Sequence, residues 1–289
     1  MYPSFILTMF EKRINTYIKV CGIYKGLSIT QYDNYIEVMY NGVVDNEYVG
    51  EVTGLWFDPD KYVNDVSSKF RDKVEELVKL VKFIRIATSR PDYLIILIST
   101  FLSRNTDYYT NVIRWVQKIC RESGSVANLN PEDVRRVGSS YQLQQLAEVL
   151  EQLKSVKLEE DFWKIRKCVL SIKYAGPKVA DAFLIFSKIT TCLAPTDIHY
   201  VRFVKRVGFF SDIDIVYPQK NYCLRYTCEN CPRATRCLTG LSYRNFGRLS
   251  AWIQTVSYVI DREFCSRGKC LECPLSSRVC DTGSHRAHT

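Results

Sequence analysis

The chain has 289 residues, 46% of them hydrophobic and 25% charged, with a formal net charge of +9. That much apolar material builds one large domain or two modest ones and excludes a disordered chain. No run reaches the ~20 consecutive apolar residues of a membrane helix, and the opening MYPSFILTMFEKR lacks the basic start and cleavage site of a signal peptide. The expectation is therefore an intracellular monomer with no membrane partner, cytoplasmic or nucleoid-associated if prokaryotic.

Positive charge is concentrated late in the chain. Residues 161–289 carry 20 Lys and Arg against 10 Asp and Glu, whereas residues 1–80 carry 9 against 12. A basic half is the electrostatic footprint of a polyanion binder, because each cation near a phosphate releases counterions. A solvated basic face or an acidic protein partner is the plainer alternative.

In chain order, residues 1–60 read as a small, acidic, strand-containing subdomain. EKRINTYIKVCGIYKG reads as a short helix, and LSITQYDNYIEVMYNG as two strands around Asp33 and Asn34, since polar and apolar positions partly alternate. Val49 to Trp56 adds a further strand. From Asp58 the pattern turns helical: DPDKYVNDVSSKFRDKVEELVKLVKFI spaces apolar residues by three and four, with Asp58 and Pro59 as a helix start. SRPDYLIILISTFLS, with Ser89 as a cap and Pro91 in its first turn, is nearly all apolar and predicts a buried central helix. NTDYYTNVIRWVQKIC, PEDVRRVG and SSYQLQQLAEVLEQLKS continue the series, and further helices are predicted at 159–171, 177–188, 197–206 and 245–263. The expected class is mostly α, with one helical domain over 61–222 and 238–264 and a small N-terminal α+β subdomain with antiparallel strands. Four-cysteine loops fall at 223–237 and 265–281, and a polar tail at 282–289.

The segment 164–189 reads as helix, tight turn, helix, centred on SIKYAGPKVADAFLIFS. Gly176 permits a backbone conformation that other residues resist, and Pro177 is pre-set for the first turn of the second helix. Successive amide N–H groups at such a turn can hold a phosphate without side-chain charge. Taken alone, Lys178 is a surface charge and Asp197, beside Thr196, an ordinary helix cap.

Twelve cysteines punctuate the chain. Cys21, Cys120, Cys168 and Cys192 are scattered and are expected to be small buried hydrophobes. The other eight form two quartets, Cys223-x4-Cys228-x2-Cys231-x5-Cys237 and Cys265-x4-Cys270-x2-Cys273-x6-Cys280. Four thiolates in a short loop suit a tetrahedral zinc or an iron-sulfur cube, and an intracellular chain does not favour disulfides. Arg225, Arg233 and Arg236 surround the first quartet, Arg267 and Arg278 the second. They are candidates for phosphate contact or for neutralising thiolate charge.

GPKVAD followed by PTDIHYVRF, with Lys178 and Asp197 nineteen positions apart, resembles the helix-hairpin-helix DNA glycosylases. The wording is closest to the 8-oxoguanine enzymes, with the endonuclease III group near. The resemblance covers roughly residues 85–281 and implies that fold, with C-terminal metal-binding loops. It also implies that Lys178 is the nucleophile, Asp197 the catalytic aspartate, and His199 the histidine near it. LSRNTDYYTNVI resembles the segment whose residue, here Asn105, fills the gap left by an extruded base, and VGSSYQLQQLAEVL resembles a glycine-tyrosine helix start. Two departures stand out: Tyr174 occupies the place of the first hairpin glycine, where Gly176 is the second, and Ala182 stands where human-type enzymes carry a recognition cysteine.

Because the endonuclease III group ends in a compact cysteine loop spaced x6, x2, x5, the likeness implies a 4Fe-4S cluster on Cys265, Cys270, Cys273 and Cys280. The quartet Cys223, Cys228, Cys231 and Cys237 is then a second 4Fe-4S or a zinc site, at a position where the family ordinarily has none. The resulting expectation is a bifunctional glycosylase and AP lyase acting on duplex DNA with an oxidised base, foremost 8-oxoguanine, through a lysine Schiff base. An oxidised-pyrimidine enzyme of the endonuclease III kind and a non-catalytic, metal-stabilised DNA-binding module are the alternatives. An iron-sulfur electron carrier fits poorly, having no use for a phosphate-binding hairpin.

Overall fold

The computed structural model of the chain describes residues 4–276. Four short strands come first: β1 (Phe10–Arg13), β2 (Thr16–Lys19), β3 (Ser28–Gln31) and β4 (Ile36–Met39). They form an antiparallel meander in chain order, with Phe10 opposite Lys19 and Ser28 opposite Met39. The helices are α1 (Asn46–Thr53), α2 (Arg71–Val81), α3 (Tyr93–Leu102), α4 (Ile113–Ser123), α5 (Pro131–Val137), α6 (Tyr141–Lys154), α7 (Phe162–Ser171), α8 (Pro177–Phe186), α9 (Ile198–Arg206), α10 (Lys220–Arg225), α11 (Leu238–Phe246) and α12 (Ser250–Glu263). The fold is thus mostly helical with a small N-terminal antiparallel β-subdomain. Among the described residues no helix is long and apolar enough to cross a membrane.

Two compact units result. The first joins the described residues up to Trp56 to Ala87–Ile189, and the second joins Phe57–Ile86 to the described residues from Thr190 onward. In the first, α3 is the predicted buried helix, with every residue from Ile95 to Leu102 enclosed, and it packs on α6 and α8. In the second, Phe70, Phe209, Phe210 and Phe246 interlock with ring centroids 5.0–6.3 Å apart. Trp252 is fully enclosed there and donates its indole N–H to the Ile84 carbonyl at 2.8 Å.

Several local expectations give way. Residues 11–26 hold β1 and β2 rather than a helix: Ile14, Ile18 and Cys21 fit helical spacing, but Ile14 is 89% exposed at the hairpin turn with φ +51°. Val49–Trp56 is no strand, because the Asp45 carboxylate caps α1 through the Glu47 N–H and Gly54, at φ +81°, closes it. These end signals outweigh the β-propensity of Val and Tyr. Asp58 and Pro59 open a 3-10 turn, Pro59–Asp65, and the α-helix proper begins at Arg71. Nor are Cys21 and Cys120 separate buried thiols; they form a disulfide with their Cα atoms 5.9 Å apart.

Candidate functional site

In the first unit, α7 and α8 form the hairpin. Its lock is Asp181, whose carboxylate accepts from Arg166 Nε at 2.6 Å and Nη2 at 3.2 Å, with both side chains at most 1% exposed. Burial pushes the Asp181 pKa up against the pull of the guanidinium. The left-handed residue of the turn is Tyr174, at φ +66°. Gly176, by contrast, has ordinary extended geometry, φ −116° and ψ 177°, and a Cβ there would meet nothing within 4 Å. The glycine keeps the approach to the helix open rather than relieving strain.

Tyr174 is held in this uncommon conformation from several directions. Its hydroxyl donates to Glu148 Oε2 at 2.8 Å, Lys173 Nζ donates to Glu148 Oε1 at 2.7 Å, and Arg104 Nη1 donates to its carbonyl at 3.0 Å. Hydrogen bonding to Glu148 raises the Lys173 pKa, and Lys173 in turn lowers that of Glu148. Arg104 also lies 3.9 Å over the Phe101 ring and donates to the Phe101 carbonyl. One arginine therefore braces both the hairpin turn and the loop that carries Asn105. Asn105 is exposed with φ +48°, and its carbonyl accepts from Gln142 Nε2 at 3.5 Å. Its side chain makes no hydrogen bond among the described residues, and it is Asp107, not Asn105, that caps the following turn.

The second helix of the hairpin starts without a side-chain cap, Pro177 filling its first turn. Amide N–H groups of that turn are open to an incoming anion. Lys178 projects from the same turn, exposed, with no hydrogen-bond or ion-pair partner among the described residues. Ala182, one turn on, is buried.

In the second unit, Asp197 caps α9. Its Oδ1 accepts from the Tyr200 N–H at 2.8 Å and its Oδ2 from Gln254 Nε2 at 3.0 Å, so both oxygens are fixed. Two residues on, His199 Nδ1 bonds Asp261 Oδ2 at 2.7 Å, leaving Nε2 for another partner. Asp261 is completely buried and also receives Arg206 and Ser266. Burial alone would raise its pKa, but hydrogen bonds from His199 and Arg206 prevail and hold it at about 2. His199, Arg202 and Arg206 follow one face of α9, while Gln254 and Asp261, seven apart, share one face of α12, which packs on α9. Asp261, Gln254, Arg104 and Glu148 had no part in the sequence reading. The sequence held no signal that set Gln254 and Asp261 apart, since Ser250, Thr255, Ser257, Arg262 and Glu263 of the same helix are polar too.

No protein-family profile matches the chain, and no curated protein matches it in sequence. Solved structures do. An 8-oxoguanine glycosylase/lyase of Clostridium acetobutylicum bound to double-stranded DNA superposes with a TM-score of 0.61 at 17% identity, over 89% of this chain and 88% of that one. Its apo form gives 0.60 at 16%, over 87% and 88%. The 3-methyladenine DNA glycosylase of Archaeoglobus fulgidus gives 0.59 at 14%, over 91% and 93%. The chain has the helix-hairpin-helix DNA-glycosylase fold.

On this glycosylase fold the cysteine quartets do not do what their spacing suggested. Among the described residues no group of three or more His, Cys, Asp or Glu side chains is arranged to hold a metal ion. Cys223, Cys228, Cys231 and Cys237 therefore form neither a second 4Fe-4S site nor a zinc site. Cys265, Cys270 and Cys273 do not assemble toward a 4Fe-4S cluster, and Cys280 lies outside the described residues. Protein contacts take over the cross-linking expected of metal. Arg244 donates to the carbonyls of Cys228 and Glu229, Thr227 N–H to Asn230 Oδ1, and Tyr243 to Glu229, while Cys237 bridges to Val216. The second segment winds into 3-10 turns at Cys265–Arg267 and Cys270–Glu272. Three of the arginines are engaged too: Arg236 pairs with Asp214, Arg267 with Glu263, and Arg233 lies 5.0 Å over the Tyr222 ring.

Proposed function

We propose that the protein is a bifunctional DNA glycosylase and AP lyase that excises an oxidised base, foremost 8-oxoguanine, from duplex DNA. The observation that carries this reading is an exposed lysine on the uncapped first turn of the hairpin helix, in a glycosylase fold that also supplies an aspartate with both oxygens fixed. The Lys178 amine, having given up a proton, attacks C1′ of an extruded nucleotide. The N-glycosidic bond breaks, and its electron pair leaves with the base, which takes up a proton. Ring opening gives a Schiff base between Lys178 and the sugar. Loss of a C2′ proton then expels the 3′ phosphate by β-elimination. Asp197 stabilises the positive charge that develops on the sugar, which requires its carboxylate and the Lys178 amine to reach the same deoxyribose. The open amides beside Gly176 take a backbone phosphate, and Asn105 enters the gap in the stack. His199, its Nδ1 side held by Asp261, offers Nε2 to the DNA backbone.

Borohydride added during incubation with duplexes carrying 8-oxoguanine is expected to leave a covalent protein–DNA adduct. Lys178→Ala abolishes that adduct, and Asp197→Asn slows base release by at least about 100-fold. An adduct that survives Lys178→Ala, or no release of any oxidised base, overturns the reading. Release of oxidised pyrimidines alone moves the substrate class and leaves the chemistry standing.

A further inference from the structure

A recess of about 640 Å³ lies in the first unit, and none of its lining residues belongs to the α7–α8 hairpin. One wall is β1 and β2; the other is the π-helical turn Tyr108–Val112 with the start of α4. Phe10, Tyr17 and Tyr109 supply aromatic surface, and Gln117 an amide. Lys12 pairs with Tyr17 across the strands and holds its ammonium 5.8 Å over that ring.

The walls are tied together. Gln117 Nε2 donates to the Phe10 carbonyl at 2.9 Å, Arg121 to Glu11 at 2.8 Å and Tyr108 to the Ser4 carbonyl at 2.7 Å, while the Cys21–Cys120 disulfide joins the end of the sheet's first hairpin to α4. A preformed site of this size accommodates a small organic ligand. A π-helical turn, which frequently marks a functional position, carries Tyr109 into it.

Charge narrows the ligand. Arg121 occupies the carboxylate of Glu11, whereas Lys12 and Arg13 are exposed and have no carboxylate partner among the described residues. An apolar ligand would leave both cations without a counter-charge, and a bare anion would make no use of the aromatic lining. A flat heteroaromatic ring joined to a phosphate answers both, since bases stack on tyrosine regardless of sequence and phosphate pairs with Lys and Arg. We propose that this recess binds a nucleoside monophosphate unit, its base against Tyr17 and Tyr109 and its phosphate against Lys12 and Arg13. The unit is either a free mononucleotide or one nucleotide of a single strand. The site does not depend on the chemistry at Lys178.

Calorimetric titration of the full chain with dAMP, deoxyadenosine and inorganic phosphate tests the assignment. The expected result is saturable 1:1 binding of dAMP, with deoxyadenosine and phosphate each weaker by at least about tenfold. Tyr17→Ala and Lys12→Glu each weaken dAMP by a similar factor, and Lys178→Ala leaves it unchanged. Lys12 is exposed, so Lys12→Glu reports even if Tyr17→Ala fails to fold. A short single-stranded oligodeoxynucleotide that competes with dAMP and weakens in Lys12→Glu identifies a strand as the occupant; one that does neither identifies the free mononucleotide. Absence of saturable dAMP binding together with Lys12-independent oligonucleotide binding overturns the proposal. So does inorganic phosphate binding as tightly as dAMP, or dAMP binding untouched by Lys12→Glu.

Discussion

Asp261 is a fully buried carboxylate that His199, Arg206 and Ser266 all address. Its pKa of about 2 in the folded protein lies below the ordinary value near 4. A carboxylate depressed by folding contributes stability that is complete above its unfolded pKa and is lost as pH falls through the folded one. The contribution should therefore be whole at neutral pH and disappear between roughly pH 4 and pH 2. Asp261→Asn is expected to lower stability at pH 7 by about 3 kcal/mol, because Arg206 would lose its buried counter-charge. Urea denaturation across pH checks it: the gap between wild type and variant should narrow from about pH 4 and close below about pH 2, where the native carboxyl becomes neutral. A gap that stays constant with pH would assign the loss to packing. Sequence alone could not have named this residue. Lys178, Asp197 and His199 were singled out by wording that resembles a family's, whereas Asp261 gains its place only because α12 lies on α9. The positive φ sits likewise at Tyr174, where tertiary hydrogen bonds enforce it, and not at the glycine two positions on.

At the scale of elements, apolar periodicity found α3, α7, α8, α9 and α12 to within a few residues, because each buries a continuous face. It failed over 11–26 and 49–56, where a hairpin turn and a pair of end caps decided the structure over only eight to sixteen residues. The hairpin adds a constraint that periodicity cannot express: one ion pair buried between α7 and α8. Removing one partner strands a charge in the interior. Arg166→Met and Asp181→Leu are thus each expected to destabilise by about 3–5 kcal/mol. The double substitution, which leaves no charge behind, should recover most of that loss. Chemical denaturation of the four proteins gives the cycle, and additive losses in the double variant would contradict a coupled pair.

Across the whole molecule, the division into two units gives cysteine chemistry a location. The disulfide closes 99 residues of sequence and belongs entirely to the first unit, whereas the first quartet and Cys265, Cys270 and Cys273 belong to the second. Spacing alone suggested the reverse emphasis, because clustered cysteines advertise themselves and a pair 99 positions apart does not. A cross-link of that span restricts the unfolded chain by an amount that corresponds to about 4–5 kcal/mol. For a unit of this size such a loss lowers the unfolding midpoint by on the order of 10 °C. Scanning calorimetry of the oxidised protein and of the Cys21→Ala/Cys120→Ala variant should therefore separate the units. The transition of the first unit moves down in the variant, and that of the second stays in place. Reductant should shift the first transition of the wild type to the variant's position and leave the variant's own first transition unmoved. If the substitutions instead leave every transition where it was, Cys21 and Cys120 are not joined in solution, and the rigidity ascribed to the strand–α4 recess rests on its hydrogen bonds alone.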